Sequence, residues 1–397
     1  MVACDTLPAM SRILVFAALL FSIGASAQGP VATTTPPPLM SHQVNPDRTI
    51  TFRYAAPSAS AVLVGIDAYP KPLPMTKDAA GIWSVTTPVL PPEYYGYGFV
   101  EDGVAKLDPL NSNTLQNYVS LGDAVLIPGR PAEPWELTSL PHGRVDHTFY
   151  TTHVAKHLPE NQEPYVVYTP PGYDPRHKGG YPVLYLLHGW SDTETGWTAN
   201  GHADLILDRL MAEGKAVPMI IVMPLGYGDL EFVEHGFGVW KEPAKIGENL
   251  EPYSKMLLTE ILPAVESSYN VAPGRENRAI AGLSMGGLES LTIGLNHPEE
   301  FAYVGGMSSA IFGSDKAGDE AVFEADIPKL EAQSAKLRLL WVGCGKADGL
   351  IRANRDFVAW TKAKGFDTVA VETEGAHTWL TWRDNLVQLA PLLFRSK

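Results

Sequence analysis

The chain has 397 residues, 45% of them hydrophobic, with 30 basic and 44 acidic side chains and a formal net charge of −14. That length suits two domains, each with a core of its own. The acidic balance argues against nucleic acid and anionic membrane surfaces as partners. Two cysteines, Cys4 and Cys344, cannot build a disulfide framework. No His/Cys/Asp cluster has metal-ligand spacing, so neither a metal nor another cofactor is expected.

At the amino terminus Arg12 precedes the apolar stretch 13–23, and Ala25-Ser26-Ala27 closes it. A basic, an apolar and a small-residue segment in that order make a cleavable export signal. The apolar part is too short to span a bilayer. Residues 1–27 are therefore expected to be a signal peptide cut after Ala27, with Met1 or Met10 as the start. The mature protein would be periplasmic or secreted and keep only Cys344. Residues 28–40, with Pro36, Pro37 and Pro38, read as a linker.

From 41 to 126 the pattern is one of short strands between turn residues. Residues 49–54 alternate at period two, and 61–65, 81–85 and 94–100 are further strands. A small immunoglobulin-like β-sandwich is expected, with Phe52, Trp83, Tyr95, Tyr97 and Phe99 in its core. Tyr69, Tyr94 and Trp135 are either platforms for sugar rings or packing residues. Residues 127–140, with Pro128, Pro131 and Pro134, read as a connector to a second domain at 141–397.

The second domain alternates strands and helices, which predicts a mostly parallel sheet covered on both faces, an α/β fold. A strand at 181–187 leads to a helix at 202–215, a strand at 218–223 and a helix at 253–269. Residues 225–249 show no period and read as an irregular wall of a substrate cleft. Trp240 lies in that stretch.

The strand ending at 278–281 runs into Gly282-Leu283-Ser284-Met285-Gly286, and a helix follows to Asn296. G-x-S-x-G between a strand and a helix is the setting of a nucleophile elbow. There the residues two before and two after the serine must be small. A serine hydroxyl needs a general base. Asp348 follows a strand at 337–343, a helix occupies 350–364, and His377 follows a strand at 368–373. Serine, acid and histidine thus stand at successive strand ends in that chain order. Asp356 and Asp367 read as solvated charges, and Glu374 adjoins the histidine loop but follows the wrong strand for the usual acid. The backbone N–H of Met285 and that of Trp190, in His188-Gly189-Trp190 after the 181–187 strand, are the expected oxyanion donors. His188 reads as a loop anchor. Trp197, Trp240 and Trp379 either hold an aromatic acyl group or pack the loops.

Leu186-Leu187-His188-Gly189-Trp190, Trp197, Gly282 to Gly287, Gly343-Cys344-Gly345 with Asp348, and His377-Thr378-Trp379 with Trp382-Arg383 together resemble the family 1 carbohydrate esterases. Feruloyl and acetylxylan esterases belong to that family, and siderophore esterases are related to it. The resemblance runs from about Pro141 to the carboxyl terminus. It implies an α/β-hydrolase with Ser284, Asp348 and His377 as its triad. The implied substrate is an ester-bearing plant polysaccharide such as feruloylated or acetylated xylan. A siderophore esterase, an acyltransferase and an inactive glycan-binding protein are the alternatives. Ala55-Ala56-Pro57, Gly81-Ile82-Trp83 and Asp108-Pro109 with Asn111 make the first domain resemble early-set domains related to family 48 carbohydrate-binding modules.

Overall fold

Valine, isoleucine, tyrosine and phenylalanine at alternate positions favour pleated strands with one buried face. They build two antiparallel sheets at the start of the computed structural model, which describes residues 39–311, 321–328 and 330–395. The expected signal peptide and residues 28–38 of the linker lie outside the described residues. One sheet pairs His42–Val44, Ile50–Ala55, Ile82–Thr86 and Thr76–Lys77. The other is built on Glu93–Glu101, flanked by Val62–Ile66 and Leu121–Ile127. Ile50, Phe52 and Trp83 from the first sheet share one hydrophobic cluster with Val64, Tyr95, Tyr97 and Phe99 from the second. The five aromatic side chains expected in this core are all buried.

Residues 144–373 supply an eight-stranded sheet. Its strands are β1 (Arg144–Thr151), β2 (Gln162–Thr169), β3 (Val183–Leu187), β4 (Ile220–Pro224), β5 (Arg278–Leu283), β6 (Tyr303–Met307), β7 (Leu339–Gly345) and β8 (Thr368–Thr373). The spatial order is β1-β2-β4-β3-β5-β6-β7-β8. Pairing is antiparallel for β1 with β2 and β2 with β4, and parallel elsewhere. Period two sends Val183, Tyr185 and Leu187 into the cluster on one face and Leu184 and Leu186 into the cluster on the other. Burial on both faces explains why these strands read as continuous apolar runs. Helices α1 (Ala203–Ala212), α2 (Pro243–Met256), α3 (Met285–Asn296), α4 (Ile351–Ala363) and α5 (Trp379–Leu389) pack around the sheet. None of the described helices is long and apolar enough to cross a membrane.

The helix expected at 253–269 begins ten residues earlier, at Pro243, and continues through a π-turn at Leu257–Ile261 into Leu262–Ser268. Gly247 and Pro252 obscure its first turns, because both are poor helix formers. Short helical turns at Glu231–Glu234 and Phe237–Lys241 break up the rest of the stretch expected to be irregular.

The described residues from Met40 onward form one compact unit. Tyr94 and Trp135, considered as sugar platforms, are buried and join the cluster on the face of the eight-stranded sheet that also holds Tyr168 and Trp382. Arg383 of α5 lies between the two parts. Its guanidinium donates to Glu93 Oε1 (3.0 and 3.2 Å), to the Tyr94 carbonyl (2.6 Å) and to the Asn200 carbonyl (2.7 Å). Tyr94 and Trp135 flank that cation at 5.7 Å.

Candidate active site

The site forms where parallel strands end in register. Leu187 of β3 pairs with Gly282 of β5, and Leu283 pairs with Met307 of β6. This sets the loop 188–192 beside the turn that carries Ser284. Ser284 has φ 52° and ψ −111°, a conformation that costs a non-glycine residue about 1–3 kcal/mol. The turn is held from outside: Ser284 N–H donates to the Met307 carbonyl (2.9 Å), and Ala310 N–H donates to the Ser284 carbonyl (2.9 Å). Space explains the flanking glycines. A Cβ at Gly282 would lie 2.4 Å from the Gly286 carbonyl oxygen, and one at Gly286 would lie 2.4 Å from that of His188.

The structure brings together the three side chains expected from the sequence. Asp348 Oδ2 is 2.9 Å from His377 Nδ1, and His377 Nε2 is 3.0 Å from Ser284 Oγ. Asp348 Oδ1 accepts the Leu350 N–H at 2.8 Å. Burial pushes the Asp348 carboxyl up, but the hydrogen bond and charge of His377, with the Leu350 N–H, outweigh it and hold it below the usual carboxylate range. An ionised Asp348 requires the proton on Nδ1, which leaves Nε2 free to accept from the serine hydroxyl. The competing acids are engaged elsewhere or exposed: Asp356 pairs with Arg352, Glu374 with Lys346, and Asp367 is solvated. Cys344 is buried, and burial pushes its thiol up to about 12, so it stays a packed, unreactive thiol.

Met285 begins α3, where first-turn N–H groups have no intrahelical acceptor. The Trp190 N–H meets no protein backbone acceptor among the described residues. His188 pins the loop as expected. Its Nε2 accepts from Gly226 N–H (2.8 Å) and its Nδ1–H donates to the Gly189 carbonyl (2.8 Å). Burial pushes this imidazole down to about 4, which keeps it neutral.

A cleft of about 1100 Å³ opens over Ser284 and His377. Trp190, Trp240, Phe237 and Trp379 line it. Trp197 does not: it is wholly buried, donates Nε1–H to the Leu187 carbonyl (2.9 Å) and packs edge-on against Trp379. The expectation that Trp197 touches substrate is therefore corrected. An indole so close to a strand end fills the core before it can reach the cleft. Phe237 stacks edge-to-face on Trp190 with ring centres 5.6 Å apart. The first domain supplies a wall that the sequence did not reveal, including Asp67, Lys106, Gln116 and Asn117. The hairpin that carries this wall leaves Tyr118, Val119 and Leu121 exposed.

His157, Asp229 and Glu231 meet at the surface with their ligand atoms within 4.8 Å of one another. They lie too far apart in sequence for spacing to reveal them. His157 Nδ1 is 2.7 Å from Asp229, which makes an ion pair sufficient to explain the cluster.

The profile of the family described as "Putative esterase" matches residues 159–393, more than half of the chain. The chain belongs to this esterase family. The chain is 32% identical over 362 residues to an endo-1,4-beta-xylanase/feruloyl esterase of Xylanibacter ruminicola. The match covers 89% of this chain but only 46% of that relative, so the chain spans about half its length. Among solved structures, a ferulic acid esterase is 29% identical with a TM-score of 0.51, covering 63% of this chain and 97% of that one. The enterobactin esterase of Shigella flexneri reaches a TM-score of 0.64 over 86% of this chain and 92% of that one. At 18% identity that likeness speaks for the fold alone.

Proposed function

We propose that this esterase is an exported serine hydrolase that releases hydroxycinnamate from plant cell-wall xylan, with Ser284 as nucleophile, His377 as base and Asp348 as orienting acid. The observation that carries the reading is the hydrogen-bonded series Asp348–His377–Ser284 opening into a cleft walled by Trp190, Phe237 and Trp240. His377 Nε2 takes the Ser284 proton as Oγ attacks the ester carbonyl. The N–H groups of Met285 and Trp190 receive the developing oxyanion. His377 returns the proton to the leaving alcohol, and water then hydrolyses the acyl-enzyme by the same steps. Asp348 holds the imidazole tautomer throughout. The indole and phenyl walls suit a flat aromatic acyl group, with Trp240 and Trp379 as substrate contacts. Export by the signal at residues 1–27 would bring the enzyme to such a polymer, and the early-set kinship of the first domain fits a carbohydrate substrate.

The enterobactin esterase of Shigella flexneri shares the fold over 86% of this chain. A ferric catecholate is strongly anionic and calls for cations. Lys106 is the one lysine or arginine among the described residues lining the cleft, against Asp67, Asp123, Asp192 and Asp348. The cleft therefore favours a neutral sugar ester. Labelling with a fluorophosphonate tests the catalytic assignment. The reagent should attach to Ser284 alone and abolish turnover, and Ser284→Ala should be unlabelled and inactive. Turnover persisting in Ser284→Ala would refute the reading.

A further inference from the structure

The loop that carries the Trp190 N–H runs directly into a residue with an unfavourable backbone shape. Ser191 has φ 73°, in the left-handed region that costs a non-glycine residue about 1–2 kcal/mol. Both of its peptide groups are held. Its N–H donates to Tyr227 Oη (2.8 Å), and its carbonyl accepts the N–H of Tyr118 (2.7 Å). Tyr227 Oη also donates to the Asp192 carbonyl at 3.2 Å, so one hydroxyl ties two successive loop residues. Tyr227 is fully buried, and Tyr118 meets its ring edge-to-face at 5.9 Å. Tyr118 belongs to the first domain, in a turn stiffened by Asn117 Oδ1, which accepts the N–H groups of Val119 (3.0 Å) and Ser120 (2.8 Å).

We infer that Tyr118 and Tyr227 are positioning residues that clamp Ser191 in its strained conformation and so aim the Trp190 N–H at the oxyanion. The first domain is then part of the catalytic unit through a backbone hydrogen bond, whatever its affinity for glycan. The inference rests on the proposed role of Trp190. It explains why the turn at 117–120 reaches the hydrolase loop rather than stopping at its own sheet.

The test uses the full-length protein, p-nitrophenyl acetate as a small substrate and a phenylboronic acid as a tetrahedral oxyanion mimic. Tyr227→Phe removes the hydroxyl and keeps the buried ring. It should lower kcat about tenfold or more with KM within about twofold, and weaken boronate binding by a similar factor, because removing a whole oxyanion donor costs about 10²–10³. Glycine adopts positive φ without strain. Adding Ser191→Gly to Tyr227→Phe should therefore recover part of both losses, which a merely structural hydroxyl would not do. Tyr118→Pro deletes the N–H, whereas Tyr118→Ala keeps it, so only the proline variant should lose kcat. Unchanged kcat and boronate affinity in Tyr227→Phe would overturn the clamp, as would a kcat loss with boronate affinity intact. If Ser284→Ala remained active, the underlying assignment would fail instead, which separates the two failures.

Discussion

The pairing of Asp348 with His377 decides what the imidazole can do. With Oδ2 bound to Nδ1–H and Oδ1 bound to the Leu350 N–H, the carboxylate fixes both ring orientation and tautomer. Asparagine at 348 would present an amide to Nδ1 and favour the wrong tautomer. Asp348→Asn should therefore lower kcat by about 10⁴-fold, as in the chymotrypsin template, with the fold intact by circular dichroism. Near-normal turnover would shift the role to another acid, with Glu374 the nearest in sequence. The three side chains that the fold brings together, Ser284, Asp348 and His377, were legible in the sequence because each follows a strand end in a fixed chain order. Trp197 was misread because sequence proximity to a loop does not say which side of the strand end an indole takes.

At the scale of elements, the turn between β5 and α3 concentrates the strain that presents Ser284. Its glycines are a steric requirement. Gly286→Ala would drive a Cβ to 2.4 Å from the His188 carbonyl oxygen and 2.6 Å from that of Leu187, both backbone atoms where β3 runs into the loop 188–192. The variant should lose about 1–3 kcal/mol in chemical unfolding, and kcat should fall with it because the loop must move. Wild-type stability and activity would contradict this account of the elbow. The parallel sheet was readable from its apolar runs. The start of α2 was not, because Pro252 and Gly247 obscure the helical pattern while tertiary packing of Asn249, Tyr253 and Met256 holds the helix. The wall contributed by Lys106, Gln116 and Asn117 was also beyond the sequence, since no local pattern says which hairpin of one domain faces the cleft of another.

At the scale of the whole molecule, Arg383 and Glu93 join the β-rich part to the helix that follows His377. Burial pushes the Glu93 carboxyl up to about 7, against the pull of the Arg383 guanidinium and the Tyr94 N–H. A raised folded-state value means that the folded protein holds a proton which the unfolded chain, titrating near 4.5, has released. The contribution of Glu93 is therefore fully present below about 4.5 and is lost as pH rises to about 7. Glu93→Gln imitates the protonated form, so its Tm should fall less than that of the wild type between pH 5 and 8. Equal slopes would contradict the assignment. The sequence pointed to two domains with a proline-rich connector. That Tyr94 and Trp135 leave the first domain's own core to join the cluster on one face of the eight-stranded sheet, with Arg383 bound to the Tyr94 carbonyl, followed only from the fold.

The reading of the cleft as an aromatic acyl pocket is tested most directly by kcat/KM for methyl ferulate against an acetylated xylo-oligosaccharide, with Ser284→Ala as the control. A preference for ferulate of about tenfold or more, lost in Ser284→Ala, is the result predicted from the indole and phenyl walls; tenfold corresponds to about 1.4 kcal/mol of transition-state discrimination. A preference for the acetyl ester, or no Ser284-dependent turnover of either, would contradict it.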